Sequence, residues 1–508
     1  MELEFDREVM QGYQIIASGT VCQEETLESI VPDACPDIAR IVGVKGQAAL
    51  NGRQAREGLA EVTGSVRAVV LYQPEEGEGL CRMEAALPFT AQLEASGLTE
   101  RGKLEGRVCL RDLQAKVLNP RKILLRADLA VEITAFQPAE TVCCQQVLEP
   151  EQHGVQQQII QGETYQLFAV QEKPFTLSEQ VRMSGGQGES LRLLALQAQP
   201  VCGESKLIGS KLILKGTLEL QFLAQEPGGG LCASSEVLPF SQILEVPGAG
   251  EGSQCQLCPQ LTQISWQTAS EDGRTLDLTA DILVQAQVWQ RRSFPMLQDL
   301  YSTAWETQVS RETLSLWRLL DQGERIQNLR ELLETASLVR TVADSWVELG
   351  PVRENREGGT LVLTGEIKIS VLCLDEDQRP QVVEKPLTVS CRLEAPDGTI
   401  CRCSMFCPGE VFAAPAAGGV EVRCAVQFQF LLLQENRCTV VCAAQLGEER
   451  TREEGEQPSV VLRLAAPGEG LWELAKTYGT TTEDIVQANA LGEEAPQAGQ
   501  LLLIPKKR

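Results

Sequence analysis

Histidine is almost missing from this sequence, since His153 is its only copy in 508 residues. A His-Glu-x-x-His zinc site needs two histidines, and the position of His153 in a Gln-rich segment leaves little scope for a histidine-based catalytic triad. The sequence also lacks a Walker A motif and a Gly-x-Ser-x-Gly elbow. We therefore predict a protein that is not an enzyme, with no catalytic residues, no cofactor and no metal site. A hidden carboxylate pair stays open as an alternative, although most of the 70 acidic residues are expected to be solvated.

Long apolar runs and a basic surface are also lacking. The longest candidate for a membrane span, around Phe428–Leu433, is strand-sized, whereas a membrane-spanning helix needs roughly 18 apolar residues. The first residues, Met1–Glu8, have neither the basic nor the apolar region of a secretory signal. A net charge of −25 repels phosphate backbones and anionic lipid. These features predict no nucleic-acid partner, no membrane span and a cytoplasmic location.

Aromatic residues are sparse at 5%, yet hydrophobic residues make up 43% of the chain. The cores must therefore be built from Leu, Val and Ala, and the length predicts three or four domains. Eighteen cysteines remain to be explained. Close groups such as Cys143-Cys144, Cys255-x-x-Cys258 and Cys401-x-Cys403 leave cross-linking and metal binding open. We favour buried thiols, because a reducing cytosol keeps cysteines as small hydrophobic residues.

Three segments of the chain share one pattern around a glycine. They are centred on Gly64, Gly216 and Gly365, which lie 152 and 149 residues apart. Apolar residues occupy the positions at even distances from each glycine, a period of two that predicts half-buried β-strands. The central glycine predicts a bulge or a sharp bend.

Two further landmarks follow each glycine in the same order. A proline (Pro88, Pro239 or Pro386) comes 24, 23 or 21 residues later, and an alternating apolar stretch comes after it. The chain is therefore predicted to be multidomain and mainly β, with three tandem β-rich repeats of about 150 residues. The predicted domains are residues 1–150, 151–300 and 301–446, a charged linker at 447–458, and a tail module at 459–508.

Two local expectations complete this outline. We predict a helical piece before the central strand of each repeat, because Ile326, Leu329, Leu332 and Leu333 fall at helical spacing in the third. We also predict that the polar segments Gln137–Gly162 and Gln290–Ser310 are loops that join the repeats.

The tail module reads as strand, helix, helix, strand. Val460–Leu464 predicts a strand, and Leu471–Tyr478 predicts a two-turn helix that Gly479 ends. Two overlapping Thr-x-x-acid pairs, starting at Thr480 and Thr481, predict the cap of a second helix that ends near Asn489. Gln500–Pro505 closes the fold as a strand, so the tail module is a small α+β domain of βααβ order.

The motifs of this tail resemble those of the LysM domain family. They are Pro467-Gly468-Glu469-x-Leu471-Trp472, then Thr482-x-Asp484-Ile485-x-x-x-Asn489, then Gly499-Gln500-x-Leu502-x-Ile504-Pro505. The resemblance implies binding of N-acetylglucosamine-containing glycans of peptidoglycan or chitin in a shallow groove. Carried over by position, the groove residues are Gly468, Glu469, Gly470, Leu471, Asn489, Ala490 and Leu491. The family usually has Asp-Thr or Asp-Ser where this chain has Glu469-Gly470, so this chain lacks a hydroxyl group in the groove. For Trp472, on the first helix, two roles are open, packing in the core or contact with a partner.

The repeats resemble the SPOCS domain family of spore-coat-associated proteins. The resemblance rests on the motif Ile30-Val31-Pro32-Asp33-Ala34-Cys35-Pro36-Asp37-Ile38 and on the strand around Gly64. Three such domains and a LysM tail are similar to the SipL-like family of clostridial spore coat morphogenetic proteins.

That resemblance implies a structural adaptor at the forespore surface in the mother cell, whose tail recruits a SpoIVA-like ATPase of the coat basement layer. The alternative is binding of peptidoglycan or chitin-type glycan at the cell wall or spore cortex.

Overall fold

Strands dominate this protein, as the period-two pattern predicts. The computed structural model describes residues 1–77, 79–186, 190–250, 252–450, 459–491 and 496–506. The first repeat contains β1 (Phe5–Ile30), β2 (Ile38–Arg56), β3 (Leu59–Pro74), β4 (Cys81–Glu94), β5 (Lys103–Asn119) and β6 (Lys122–Val147). The second contains β7 (Val155–Arg182), β8 (Arg192–Ile208), β9 (Lys211–Gln225), β10 (Leu231–Glu245), β11 (Gln254–Thr268) and β12 (Thr275–Ser302). The third contains β13 (Trp305–Glu334), β14 (Val339–Glu357), β15 (Thr360–Asp375), β16 (Pro380–Glu394), β17 (Thr399–Phe406), β18 (Phe412–Ala416) and β19 (Gly419–Glu449).

Each repeat folds into two antiparallel sheets with the same strand order. The first has the sheets β1-β6-β5 and β2-β3-β4, the second β7-β12-β11 and β8-β9-β10. The third has β13-β19-β17 and β14-β15-β16, with β18 as an additional strand beside β19. The inward side chains of the two sheets share one core in each repeat. The predicted multidomain, mainly β fold is therefore confirmed, whereas the exact domain boundaries stay a prediction.

The central glycines lie where two strands approach closely. A Cβ at Gly64 would come within 2.3 Å of the Ala49 carbonyl oxygen and 2.4 Å of the Phe89 ring. Gly216 would meet the Phe240 ring at 2.5 Å. Opposite these glycines the neighbouring strands shift register, at Leu50/Gly52 in β2 and at Cys202/Glu204 in β8. The irregularity therefore lies on the partner strand and not at the glycine, where a bulge or bend was predicted. Glycine is required at these two positions because a phenylalanine ring covers each of them.

The SPOCS-type motif between β1 and β2 forms a turn that an arginine holds. Arg121 donates to the carbonyl oxygens of Cys35 at 2.8 Å and Val31 at 2.9 Å, and to the Asp37 carboxylate at 3.0 Å. Val31 itself is fully buried in the first core. The motif therefore fixes the passage of the chain from one sheet to the other.

The predicted helical pieces are wrong. Residues 326–333 belong to β13, which pairs with β19 along its length. Ile326 and Leu332 lie on its exposed face, whereas Leu329 and Leu333 face the third core. Helical spacing was misleading here because pairing with a long neighbouring strand outweighs a local pattern of four residues.

The predicted joining loops are wrong as well. Within Gln137–Gly162, β6 continues to Val147, a 3-10 turn covers Pro150–His153, and β7 begins at Val155. Within Gln290–Ser310, only two residues separate β12 from β13. The polar residues of these two segments lie at alternate, outward-facing positions of strands. Composition alone does not show this alternation, so the segments resemble loops.

These long strand ends join the three repeats. They form apolar clusters to which every repeat contributes, among them one built from Leu3, Cys144, Val147, Val155, Leu297, Leu300, Val441, Ala444 and Leu446. Another cluster joins the smaller sheets through Val69, Leu71, Leu80, Leu194, Ala195, Leu223, Ala343, Trp346 and Leu372. The repeats are therefore packed together, and we call residues 1–449 the three-repeat body.

A buried charge cluster crosses the same junction. Lys45 of the first repeat donates to Asp344 of the third, and the two side chains are 3% and 0% exposed. Gln221 of the second repeat donates to the same carboxylate at 2.9 Å. The Lys45 ammonium also lies 4.4 Å from the centre of the Trp346 ring. The hydrogen bond from Gln221 helps to offset the cost of burying the charge pair, and the cluster contains residues of all three repeats.

Of the predicted charged linker at 447–458, Gly447–Glu449 belong to β19, and residues 451–458 lie outside the described residues. The tail module then contains β20 (Val460–Leu464), α1 (Leu471–Tyr478), α2 (Thr482–Asn489) and β21 (Leu501–Pro505), with β20 paired to β21. The βααβ prediction is confirmed. None of the helices in the described ranges has the length and apolarity to cross a membrane.

Candidate functional site

Local residues determine both helices of the tail module. Gly470 precedes α1 in an extended conformation, and Gly479 ends it at φ 63° with its N–H bonded to the Ala475 carbonyl oxygen. Of the two predicted caps for α2, the structure uses Thr481, whose hydroxyl accepts the Asp484 backbone N–H at 3.1 Å. The core beneath them is made of Ala465, Leu474, Ala475, Ile485, Leu502 and Ile504.

The predicted groove residues come from two segments that border this core. Leu471 and Leu491, one from each segment, both pack against it. Gly468 adopts a left-handed conformation at φ 76°, and so does Ala490 at φ 48°. The sequence thus brings the two halves of the predicted groove to one small core.

The polar groups of that groove are bonded within the module. The Glu469 carboxylate accepts from Arg463 at 2.6 Å and from the Ala466 backbone N–H at 3.1 Å. The Asn489 amide donates to the carbonyl oxygens of Ile485 at 2.8 Å and Leu503 at 2.6 Å, and it accepts the Leu503 N–H. Gly470 offers no side chain. These contacts support the fold of the module, and they occupy both amide hydrogens of Asn489 and one acceptor site on each oxygen of Glu469.

Trp472 contacts the three-repeat body. Its indole N–H donates to the Asp299 carboxylate at 2.9 Å, and its ring meets Tyr301 edge-on at 4.9 Å. Lys476 donates to the same carboxylate at 2.5 Å, as does Arg311 of the body. Trp472 therefore makes a contact between two parts of the same chain, a role that lies between the two predicted alternatives of core packing and partner contact. We call these five residues the docking contact.

The electrostatics of the docking contact favour an ionised Asp299. Partial burial would raise the pKa of this carboxyl group, but hydrogen bonds from Lys476 and Trp472 outweigh burial and lower the pKa below its usual range. Tyr301 adds a hydrogen bond from its hydroxyl to the Thr480 carbonyl oxygen at 2.7 Å. The α1 side of the module is therefore held against the body.

The outer face of the module's two-stranded sheet is apolar and exposed. Leu462 pairs across the strands with Leu503, and Leu464 pairs with Leu501. The exposed fractions of Leu462, Leu464 and Leu501 are 63%, 63% and 59%, and those of Leu503 and Val460 are 41% and 46%. We call these five residues the sheet patch.

Sequence reasoning missed both the docking contact and the sheet patch. The docking contact joins residues more than 170 positions apart, and no local pattern signals it. The sheet patch did have a signal. A two-stranded sheet with one covered face should alternate apolar and polar residues, whereas Val460-Val461-Leu462 and Leu501–Ile504 are apolar on both faces.

A second concavity lies where the three repeats meet. It has a volume of about 650 Å³, and its lining includes Gln47, Gln199, Cys109 and Cys258. Burial raises the pKa of the Cys109 thiol to about 12 and that of Cys258 to about 11, so both are protonated and weakly nucleophilic at neutral pH. All eighteen cysteines lie in the described ranges, and none is in a disulfide there. The same ranges contain no cluster of three or more potential metal ligands.

Two protein families match parts of this chain. The family described as SipL, SPOCS domain matches residues 191–268, which span β8 to β11 of the second repeat. The LysM domain family matches residues 466–505 of the tail module. Both resemblances seen in the sequence are thereby confirmed, and both families are non-catalytic binding domains. No curated protein matches the chain.

Proposed function

We propose that this chain, with its SipL-type SPOCS domain and its LysM domain, is a non-enzymatic adaptor of spore coat assembly. The three-repeat body provides a rigid scaffold in the mother-cell cytoplasm at the forespore surface. The tail module recruits a protein of the coat basement layer, a SpoIVA-like ATPase. The SPOCS match supports the link to sporulation, and the LysM match supports a binding role for the tail.

One observation carries the choice of a protein ligand. The side-chain polar groups of the predicted groove, those of Glu469 and Asn489, are bonded inside the module, while the sheet patch leaves five aliphatic side chains exposed. Sugars are recognised largely through hydrogen bonds to their hydroxyl groups, whereas protein interfaces are centred on apolar contacts. The surface of this module is therefore better suited to a protein.

A co-expression pull-down tests the proposal. The intact chain should capture the SpoIVA-like ATPase, and a chain lacking residues 459–508 should not. Ile485→Ser, which opens the module's core without shortening the chain, should also lose capture. Circular dichroism and gel filtration should show that both variants keep the three-repeat body. Undiminished capture by either variant would overturn the proposal.

Glycan binding is the second candidate, because the LysM family match covers the module and its two groove segments meet at one core. Its ligand would be peptidoglycan or a chitin-type oligomer of N-acetylglucosamine. Sedimentation with purified peptidoglycan separates the two candidates. If the intact chain sediments with peptidoglycan and the chain lacking residues 459–508 does not, the result supports glycan binding by the tail module.

A further inference from the structure

We propose that Cys407 and Cys424, whose thiols meet beside a surface concavity of the third repeat, form an oxidative modification site that a hydroperoxide converts into a disulfide. We call these two residues the thiol pair. The bond ties the segment between β17 and β18 to β19. Both cysteines belong to the three-repeat body, so the proposal is independent of the adaptor function of the tail module.

Strand pairing brings the thiol pair to neighbouring positions of one sheet. The pairing of β17 with β19 ends at Phe406 opposite Gln427, and the pairing of β18 with β19 begins at Phe412 opposite Arg423. Five residues therefore pass three residues of β19. One cysteine is the first of the five, and the other is among the three. Both side chains pack against the third core, so they lie on the same face of the sheet.

The two thiols are in contact and differ in acidity. Their mutual hydrogen bond raises the pKa of Cys407, with burial acting in the same direction, and lowers the pKa of Cys424. Burial and the Glu331 carboxylate oppose the lowering at Cys424 without cancelling it. The thiolate is the form of cysteine that peroxides oxidise. Cys424 is therefore the sulfur that attacks the peroxide, and Cys407 is the one that resolves the product.

A small oxidant has a route to this pair. A concavity of about 550 Å³ is lined by Cys424 and Arg423 of β19 and, on its other side, by Pro408, Gly409 and Glu410 of the segment that follows Cys407. Cys424 itself is only 7% exposed. Hydrogen peroxide is small enough to reach a sulfur at such a wall, whereas another protein's thiol is not.

The segment that carries Cys407 can approach β19 without breaking strand pairing, because it lies between the paired ranges. A disulfide requires the two sulfurs to close to about 2.05 Å. Gly409 has φ 77°, and a Cβ there would meet nothing within 4 Å, so the segment has room to move. Ser235 of the second repeat donates to Glu410 at 2.5 Å. The disulfide therefore links β19 to a segment that already contacts the second repeat.

The oxidation balances with hydrogen peroxide as the oxidant. The Cys424 thiolate attacks one peroxide oxygen, the O–O bond breaks, and a sulfenic acid forms while hydroxide leaves and takes a proton to become water. The Cys407 sulfur then attacks the sulfenic sulfur, the S–O bond breaks, and the hydroxyl group leaves with the Cys407 proton as a second water. The two thiols lose two electrons, and the peroxide gains them.

Peptide mapping of the full chain tests the site. Trypsin cleaves after Arg402, Arg423 and Arg437, so the disulfide joins the peptide 403–423 to the peptide 424–437. We expect this linked pair after the reduced chain is treated with hydrogen peroxide and its remaining thiols are blocked, and a reducing agent should release it. If the linked pair is missing under conditions that oxidise the exposed Cys22, the proposal is overturned.

Two alanine variants identify which cysteine of the first peptide is linked. Cys407→Ala should abolish the linked pair. Cys403→Ala is the matched control and should retain it, because burial raises the pKa of the Cys403 thiol to about 12 and keeps it protonated. Far-UV circular dichroism and gel filtration of the reduced variants should match the parent. A linked pair that persists in Cys407→Ala would contradict the assignment.

Trapping of the sulfenic acid tests the roles of the two sulfurs. With hydrogen peroxide present, dimedone should label Cys424 in the Cys407→Ala variant, because the sulfenic acid can no longer be resolved. It should leave Cys407 unlabelled in the Cys424→Ala variant. Labelling of Cys407 without labelling of Cys424 would overturn the proposed order of attack.

Discussion

The three-repeat body and the tail module differ in the outer faces of their antiparallel sheets. In β3 of the body, Val62 and Val66 face the core, while Glu61 and Arg67 face away from it. In β20 of the module, Arg463 faces inward and Leu462 faces solvent. The body also exposes single apolar residues, among them Ile30, Ile326 and Phe412, but the module gathers five of them on one two-stranded sheet. We therefore regard the body as the scaffold and the module as the interacting part.

The buried cluster between the repeats should give the largest effect. Lys45→Met leaves Asp344 charged, buried and without its ammonium partner, so we expect a loss of about 3–5 kcal/mol in the free energy of unfolding. Combining it with Asp344→Leu should recover most of that loss, because no lone charge remains. Denaturant unfolding followed by far-UV circular dichroism measures both. A single variant as stable as the parent would show that the repeats do not depend on this junction.

The central glycines should give the next largest effect. Gly64→Ala and Gly216→Ala drive a methyl group into a backbone carbonyl and a phenylalanine ring, and we expect each to cost about 1–3 kcal/mol. Gly203→Ala in β8 is the matched control, since a Cβ there meets nothing within 4 Å. Unfolding midpoints compare the three variants. If the control is destabilised as much as the others, steric crowding is not the reason for the central glycines.

The docking contact tests whether body and module act as one unit. Asp299→Asn removes the charge that Lys476 and Arg311 share, and we expect docking to weaken by about 1–3 kcal/mol. Hydrogen exchange of the α1 amides should then quicken. Asp277→Asn, an exposed residue on the same strand, should leave exchange unchanged. Unaltered exchange in Asp299→Asn would show that the charges contribute little to docking.

The same contact should respond to acid. The pKa of Asp299 is lowered in the folded chain, so its contribution to docking is fully present above the ordinary carboxyl value of 3.8. That contribution is lost as the pH falls through the lowered pKa. Exchange of the α1 amides, corrected for the intrinsic effect of pH, should therefore stay slow at pH 5 and quicken selectively well below pH 3.8. Acid-induced release in the Asp299→Asn variant at the same pH would contradict this assignment.

The groove should give the smallest effect on stability. Gly470 has φ −87° and ψ 161°, which serine adopts readily, and only the mobile end of Glu473 lies near a new Cβ. Gly470→Ser should stabilise the module by a few tenths of a kcal/mol, about the margin by which a serine cap exceeds glycine. It should also raise affinity for chitin oligomers relative to Gly470→Ala. Equal oligomer affinity in the two variants would show that the missing hydroxyl is not what limits sugar binding.

Local signals made the tail module predictable from sequence. Gly479 and Thr481 mark helix boundaries through chemistry that operates within one turn. The alternation around Gly64, Gly216 and Gly365 likewise predicted strands, because a half-buried sheet face imposes its period directly on the sequence. The sandwich pairing and the joining of the repeats depend on contacts between distant residues, such as Lys45 and Asp344, which no single segment records.

The errors have the same origin. The spacing of Ile326, Leu329 and Leu333 fits a helix when it is read alone, and only the partner strand β19 determines its conformation. Trp472 was equally ambiguous, because the Asp299 carboxylate that accepts its N–H lies far away in the sequence, in the second repeat. The predicted groove residues remain a prediction. Their local geometry is now known, but their ligand is a matter for experiment.

The most direct test of the account is a calorimetric titration of the intact chain with two ligands, the purified basement-layer ATPase and an N-acetylglucosamine hexamer. The account predicts that the ATPase binds at least about tenfold more tightly, and that Ile485→Ser removes that advantage. Tighter binding of the hexamer than of the ATPase would contradict it.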